Sequence, residues 1–325
     1  MRWSAVAPML LAVTLAHAVG PALAQPAGPP RVAFLSIAVG LEEPVFEAFN
    51  DELRALGQID GKTFRFELHV APDNRSIPAL AEEIVRSEPA VLVALHVVAG
   101  DALLRLTHTI PIVVVSSGNP LALGWSTSVA RPSRNITGVL DLLEDLAEKR
   151  VELLRELVPP ARRAGVLYEI ANSRHNIILA NTTAAAQRSH LTIVPFGLAE
   201  AGDLTETLSR IAAARLDGLI VVPSPLILSH RREIIESALA GRLPTMHAFA
   251  FEAQDGALAA YGTNTVENFQ RAAQYVDRLL GGAKIADLPF DAPREVTLTI
   301  NRRTARAIGL EVPPGLLARA DEVIE

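Results

Sequence analysis

Short runs of apolar residues, each ending in small or turn-forming residues and followed by a helically spaced segment, recur in two successive series along this chain. In the first series, Arg31–Ile37, Phe64–Val70, Ala90–Leu95 and Ile112–Val115 read as strands. Between them, Glu42–Leu56, Ile77–Arg86 and Asp101–Leu106 carry the apolar spacing of helices. A long helix, Leu142–Leu157, stopped by Pro159 and Pro160, separates this series from the next. The second series has strands at 163–168, 191–196, 218–222 and 244–247, with helices at 176–189, 204–214 and 229–240. Such alternation predicts an α/β fold with parallel sheets covered by helices on both faces. Two series predict two similar lobes.

The last quarter holds too few elements for a third core. It reads as strands at 257–261 and 296–300, helices at 266–280 and 302–308, and a connector at 281–289. These pieces must complete the two sheets already begun, so the chain crosses between lobes more than once and forms a hinge. The expected division is residues 31–135 with 262–290 in one lobe, and 136–261 with 291–325 in the other. In an open α/β sheet, ligands bind beyond the carboxyl ends of the strands, and between two lobes that means an interlobe cleft.

The first 24 residues read as a secretion signal and stand outside the fold. Arg2 supplies the positive start, Ala5–Val19 the apolar stretch and Ala22-Leu23-Ala24 the small-residue site, with cleavage before Gln25. Pro8, His17, Gly20 and Pro21 interrupt the apolar stretch, which argues against a membrane anchor of about 20 apolar residues. Residues 26–30 read as a spacer. The segment predicts secretion.

Chemistry is constrained by what is missing. The chain has no cysteine, which excludes thiol catalysis, thiolate metal sites, disulfides and lipid attachment through a thiol. A net charge of −6 and a pI near 5.8 argue against nucleic acid as partner. Eight histidines occur without HxxxH or HExxH spacing, and His108, His175, His190 and His230 are expected at the surface. No GxSxG elbow is present, and Ile37-Ala38-Val39-Gly40 does not supply GxGxxG after the first strand. Nothing calls for a metal, a cofactor or catalysis.

Several longer segments, in order, resemble a known family. They include LRALGQIDGKTFRFE (53–67), TIPIVVVSSGNP (109–120), SVARPSRNITGV (128–139), EKRVELLRELVP (148–159), RLPTMHAFAFEAQDGALAAYG (242–262) and AAQYVDRLLGGAKIADLPF (272–290). With IPALAEEIV (77–85) and the C-terminal INRRTARAIGLEVPPGLLARADEVIE, they cover nearly the whole chain after residue 24. The chain is similar to the periplasmic substrate-binding proteins of ABC transporters, of the type that includes tryptophan- and tyrosine-binding members. The resemblance implies a type I periplasmic-binding-protein fold, two Rossmann-like lobes closing on a small ligand, no catalysis and an inner-membrane ABC permease as partner. A monomer is expected. Two ligand loops depart from the family pattern: VLYEIANSRHN (166–176) lacks the usual proline, and HVVAGDA (96–102) replaces a Thr/Pro/Ala-rich turn. A secreted sensing module remains open beside the transport role, and a small-molecule enzyme behind both.

Candidate ligand contacts lie at strand ends. Ser116, Ser117, Gly118 and Asn119 offer hydroxyls and backbone N–H groups to a carboxylate, although the same residues make ordinary polar turns. Ser36 and Gly40 follow the first strand and His96 ends the third. Asn135 and Thr137 mark the expected first crossing; Asn135-Ile136-Thr137 also fits a glycosylation pattern, and the hinge reading is preferred. From the facing lobe come Tyr168, Glu169, Asn172, Ser224, His247 and Tyr261, with Phe249 nearby. Tyr168 could stack on a flat ligand or fill the core. Glu169 is the pointed one, because a carboxylate in a cleft pairs a ligand ammonium; the alternative is a solvated loop acid.

Overall fold

The buried runs become two separate sheets. The computed structural model describes residues 28–37 and 44–325; Gly40 and the proposed signal segment lie outside the described residues. The first series gives β1 (Arg31–Ile37), α1 (Pro44–Ala55), β2 (Arg65–Ala71), α2 (Ile77–Arg86), β3 (Val91–Leu95), α3 (His96–Leu106), β4 (Ile112–Ser117) and β5 (Ile136–Leu140). After α4 (Ala147–Leu157) the second gives β6 (Arg163–Glu169), α5 (Ser173–Arg188), β7 (Thr192–Leu198), α6 (Leu204–Ala213), β8 (Gly218–Val221), α7 (Pro225–Ser229), α8 (Arg231–Ala240) and β9 (Thr245–His247). Then follow α9 (Ala250–Gln254), β10 (Ala259–Thr263), α10 (Thr265–Leu280), β11 (Val296–Asn301), α11 (Arg302–Ile308), α12 (Pro314–Leu317) and β12 (Glu322–Ile324).

One sheet has five parallel strands in the order β2-β1-β3-β4-β5, and the other seven in the order β12-β11-β10-β9-β8-β6-β7. Each sheet is covered on both faces by its own apolar clusters. Val93, Val113 and Val115 pack on one side of the first sheet, Leu92, Ile112 and Val114 on the other. The second sheet divides likewise, with Val166 and Met246 on one side and Leu167 and Leu219 on the other. None of these clusters contains strands of both sheets, so each lobe has a core of its own.

Two details differ from the sequence reading. The expected lobe boundary after residue 135 cuts off β5, yet β5 pairs with β4 through Ile112↔Ile136 and Val113↔Thr137. The chain therefore leaves the first sheet after Leu140, because Arg131–Asn135 turns back to pair another strand rather than crossing over. The second sheet is also not wholly parallel: β10 and β11 are antiparallel. The chain goes from β10 into α10 on the first lobe and returns at the end it left from, which reverses β11.

Helix α10 packs on the first lobe although it follows a strand of the second. Phe269 stacks on Phe34 with centroids 6.1 Å apart and meets Phe46 edge-on at 5.5 Å. Thr137 Oγ1 donates to Leu288 O at 2.7 Å, and Asp291 bridges to Val139 beside β5. Three segments thus join the lobes: 141–146, Asn264 between β10 and α10, and 292–295. Gly138 on β5 and Gly262 on β10 lie just before the first two. A Cβ there would sit 2.1 Å from Val114 O and 2.0 Å from Ala248 O, so both strands need glycine for close backbone approach.

Candidate functional site

The carboxyl ends of the two sheets face each other across a cleft. On the first lobe β3 ends at Leu95, and His96 follows at φ +68° as the first residue of α3. The sequence reading began this helix only at Asp101. Ser116, at φ +58°, sits where the β4–β5 register shifts between Val114 and Ser117. Leu142, in the first crossing, is at φ +54°. Three non-glycine residues in this sparsely populated region therefore stand at the mouth of the cleft or beside it.

Among the described residues, three adjoining cavities line the cleft. The middle one is lined by His96 and Asp101 from α3, by Asp141, by Asn172 and His175 from the start of α5, and by Ser224. A larger cavity of about 510 Å³ lies between Asp73–Arg75 on one lobe and Glu169, Ala199–Ala201 and Leu226 on the other. A third is apolar, with Val45, Leu95 and Phe269 opposite Leu228, Phe249 and Phe251.

Charge in the cleft is arranged around Arg174. Its guanidinium donates to Asp141 Oδ1 at 2.7 Å and Oδ2 at 3.1 Å, and to Glu144 Oε1 at 2.6 Å and Oε2 at 2.7 Å. Burial alone would lower the Arg174 pKa, but Asp141 and Glu144 outweigh it and hold it above the ordinary range. Gly118 makes room for this side chain: a Cβ there would lie 2.7 Å from Arg174 Nε. The cation is thus consumed by two carboxylates of the first crossing.

The histidines around it are neutral at pH 7. Burial pushes His96 down to about 4, with Asp141 and Arg174 acting in opposite directions. His175, 1 % exposed, is likewise pushed down to about 4 by burial. Its Nδ1 accepts from Glu169 N at 2.8 Å, which leaves Nε2–H to donate to Pro223 O at 3.2 Å. His175 thereby ties the end of β6 to the turn after β8, a buried role in place of the expected surface one.

Glu169 is 3 % exposed at the end of β6. Asn74, from the first lobe, donates its Nδ2 to Glu169 Oε1 at 3.0 Å, a direct hydrogen bond across the cleft. Burial raises the Glu169 pKa, while Ser224 and Asn74 act to lower it. Both Glu169 Oε2 and Asn74 Oδ1 are buried without a partner in hydrogen-bonding geometry.

Residues 39–324 match the model of the family described as ABC transporter substrate binding protein. The chain belongs to this family. It is a family of substrate-binding proteins rather than enzymes. Among curated proteins it is similar to the tyrosine-binding protein of Clostridioides difficile, 23 % identical over 266 residues, covering 82 % of this chain and 76 % of that one. Among solved structures it resembles a conserved domain protein of Vibrio cholerae, at 25 % identity and a TM-score of 0.83 over 90 % of this chain and 99 % of that one. An ABC domain in complex with L-Trp from Streptococcus pneumonia has the same TM-score of 0.83 at 19 % identity, over 91 % of this chain and all of that one. The fold is that of type I periplasmic binding proteins, two α/β lobes with mostly parallel sheets.

Within this substrate-binding fold the expected contacts separate into groups. His96, Ser116, Glu169, Asn172 and Ser224 line cleft cavities. Asn172 and Ser224 also cap helices, accepting from Arg174 N at 3.1 Å and Ile227 N at 3.2 Å. Ser117, Gly118 and Asn119 border a small recess beside Glu144 instead, and Asn119 Oδ1 closes a turn by accepting from Leu121 N at 2.9 Å. Ser36 is fully buried at the end of β1. Thr137 is also buried and holds the return segment rather than marking the first crossing. Tyr168 and Tyr261 pack against the second-lobe core. His247 is fully buried, with Nδ1 2.8 Å from Glu252 Oε1.

Sequence reasoning passed over Asn74, Asp141, Glu144 and Arg174. Arg174 and its carboxylates are about 30 positions apart, so no local spacing announces them. Among the described residues, no group of three His, Asp or Glu is placed to hold a metal ion.

Proposed function

We propose that this chain is the periplasmic solute-binding component of an ABC importer. It closes two lobes on a small amino-acid-like or other polar organic ligand and presents the closed form to an inner-membrane permease. The observation that carries this reading is the cleft itself: facing strand ends on two independently cored lobes, joined by three crossings. Closure is a two-state equilibrium that a ligand shifts by contacting both lobes at once. Relatives that bind tyrosine and L-Trp support an amino-acid-like ligand.

His96 and Ser116 act from the first lobe, and Glu169, Asn172 and Ser224 from the second. The unshared N–H groups at the start of α3, where Leu95 provides no side-chain cap, favour an anionic group in the middle cavity. The apolar cavity beside Phe249 takes a side chain.

Thermal unfolding with a panel of amino acids, aromatic acids and amides tests the reading. A solute at 100-fold excess over Kd stabilises the fold by about 2.7 kcal/mol, and X-ray scattering should show a smaller radius of gyration in its presence. Turnover of a bound solute, or no solute that shifts unfolding, would refute it.

A further inference from the structure

Asn74 and Glu169 touch across the cleft, yet Asn74 Oδ1 and Glu169 Oε2 are buried and make no hydrogen bond of good geometry, the Ser224 hydroxyl lying near the Glu169 carboxyl. The two residues come from opposite lobes and line the same cavity of about 510 Å³. A buried oxygen without a donor is costly, and a carboxylate oxygen more so than an amide one. We propose that Asn74 and Glu169 form a subsite straddling the two lobes, which takes the primary ammonium, or a comparable N–H-rich cation, of the solute. This rests on the solute-binding reading above and names the class of solute.

The charge around the cavity supports a cation. Asp73 is 3.3 Å from Arg75, so those two charges offset each other. Glu200 is engaged at the start of the helical turn that follows it, where its N–H lies 3.3 Å from Asp203 Oδ2. In the adjoining cavity, Arg174 is held by Asp141 and Glu144. Among the described residues, Glu169 is therefore left without an ion-pair partner of its own. A hydroxyl would satisfy one of the two orphaned oxygens and bring no charge; an ammonium has three donors and one positive charge. Because one acceptor belongs to each lobe, a cation placed there stabilises the approach of the lobes as well as the solute.

The same geometry limits what the subsite accepts. A carboxylate at this position would face the Glu169 carboxylate, so a zwitterionic solute must direct its own carboxylate elsewhere. The middle cavity, which shares Ala171 and Pro225 with this one, lies next to it.

The test uses the chain from Gln25 onward, purified under native conditions, and matched sets of probes. L-tyrosine and L-tryptophan are compared with their des-amino acids and with tyramine and tryptamine, and the comparison is extended to other amino acids, amines and acids. Calorimetry should find binding confined to amine-bearing probes, with des-amino counterparts at least 10-fold weaker. Glu169→Gln should weaken the best amine probe at least 10-fold without moving the unfolding temperature of the free protein by more than a few degrees. Asn74→Ala, a change in a first-lobe loop, should weaken the same probe severalfold and serves if the Glu169 variant fails to fold. A probe without an amine that binds as tightly as its amine partner overturns the subsite. So does an amine probe indifferent to both substitutions, and either result leaves the solute-binding reading standing. If no probe binds at all, that reading falls and the subsite with it.

Discussion

His175 shows how one side chain can serve a site by fixing the backbone around it. Its neutral ring accepts from the backbone of Glu169 and donates to Pro223 O, so protonation would cost the first of these hydrogen bonds. The folded-state pKa of about 4 lies below the ordinary 6.5. The unfolded chain therefore binds more protons between these values, and stability rises with pH across that window. The contribution is complete above pH 6.5 and is lost as pH falls towards 4, amounting to at most roughly 3–4 kcal/mol at 1.4 kcal/mol per pH unit. His96 acts in the same direction and the raised carboxyl of Glu169 in the opposite one. Urea unfolding of the wild type and His175→Gln at pH 4.5 and pH 7 isolates the His175 part. The variant should lose less stability on acidification than the wild type, and equal losses would show that His175 is not the titrating group.

At the scale of elements, the strand and helix pattern was legible because it depends on local periodicity. Val91–Leu95 and Ile112–Ser117 are buried on both faces, as their unbroken apolar runs imply. What could not be read was pairing and facing. Ile136–Leu140 looks the same in sequence whether it opens a second lobe or closes the first; only its register with β4 decides. Glu169 ends its strand facing the cleft while Tyr168, one residue earlier, packs on the core, and that difference is a matter of register rather than residue type. That Ser224 and Glu169 line the cleft was legible because such sheets open their pockets at strand ends, whereas Asn74 sits in a loop that gives no such signal. Gly138 makes the pairing testable. In Gly138→Ala the new Cβ would meet the Val114 carbonyl oxygen at 2.1 Å, and both are backbone-fixed. A loss of about 3 kcal/mol or failure to fold is expected, read from the urea midpoint. Unchanged stability would mean that β5 does not lie against β4 as described.

At the scale of the molecule, the first lobe is discontinuous in sequence. Its aromatic cluster needs Phe269 of α10 on Phe34 and Phe46, and its edge at β5 needs residues 289–291. Burying a phenylalanine contributes roughly 1.5–3 kcal/mol, and α10 also contributes Ala272, Ala273, Tyr275 and Val276 to that cluster. A fragment ending at Leu140 is therefore expected to lack cooperative unfolding and to bind a hydrophobic dye, and adding residues 264–291 through a short linker should restore a sharp transition. A cooperative, dye-free fragment would contradict this assignment of α10. The arrangement also sets an order of events during synthesis. Some 120 residues of the second lobe must leave the ribosome before the helix that seals the first one appears, so the growing chain cannot lock its N-terminal half early. If the chain is exported, as the proposed periplasmic role requires, late closure of its leading lobe would keep it open to translocation.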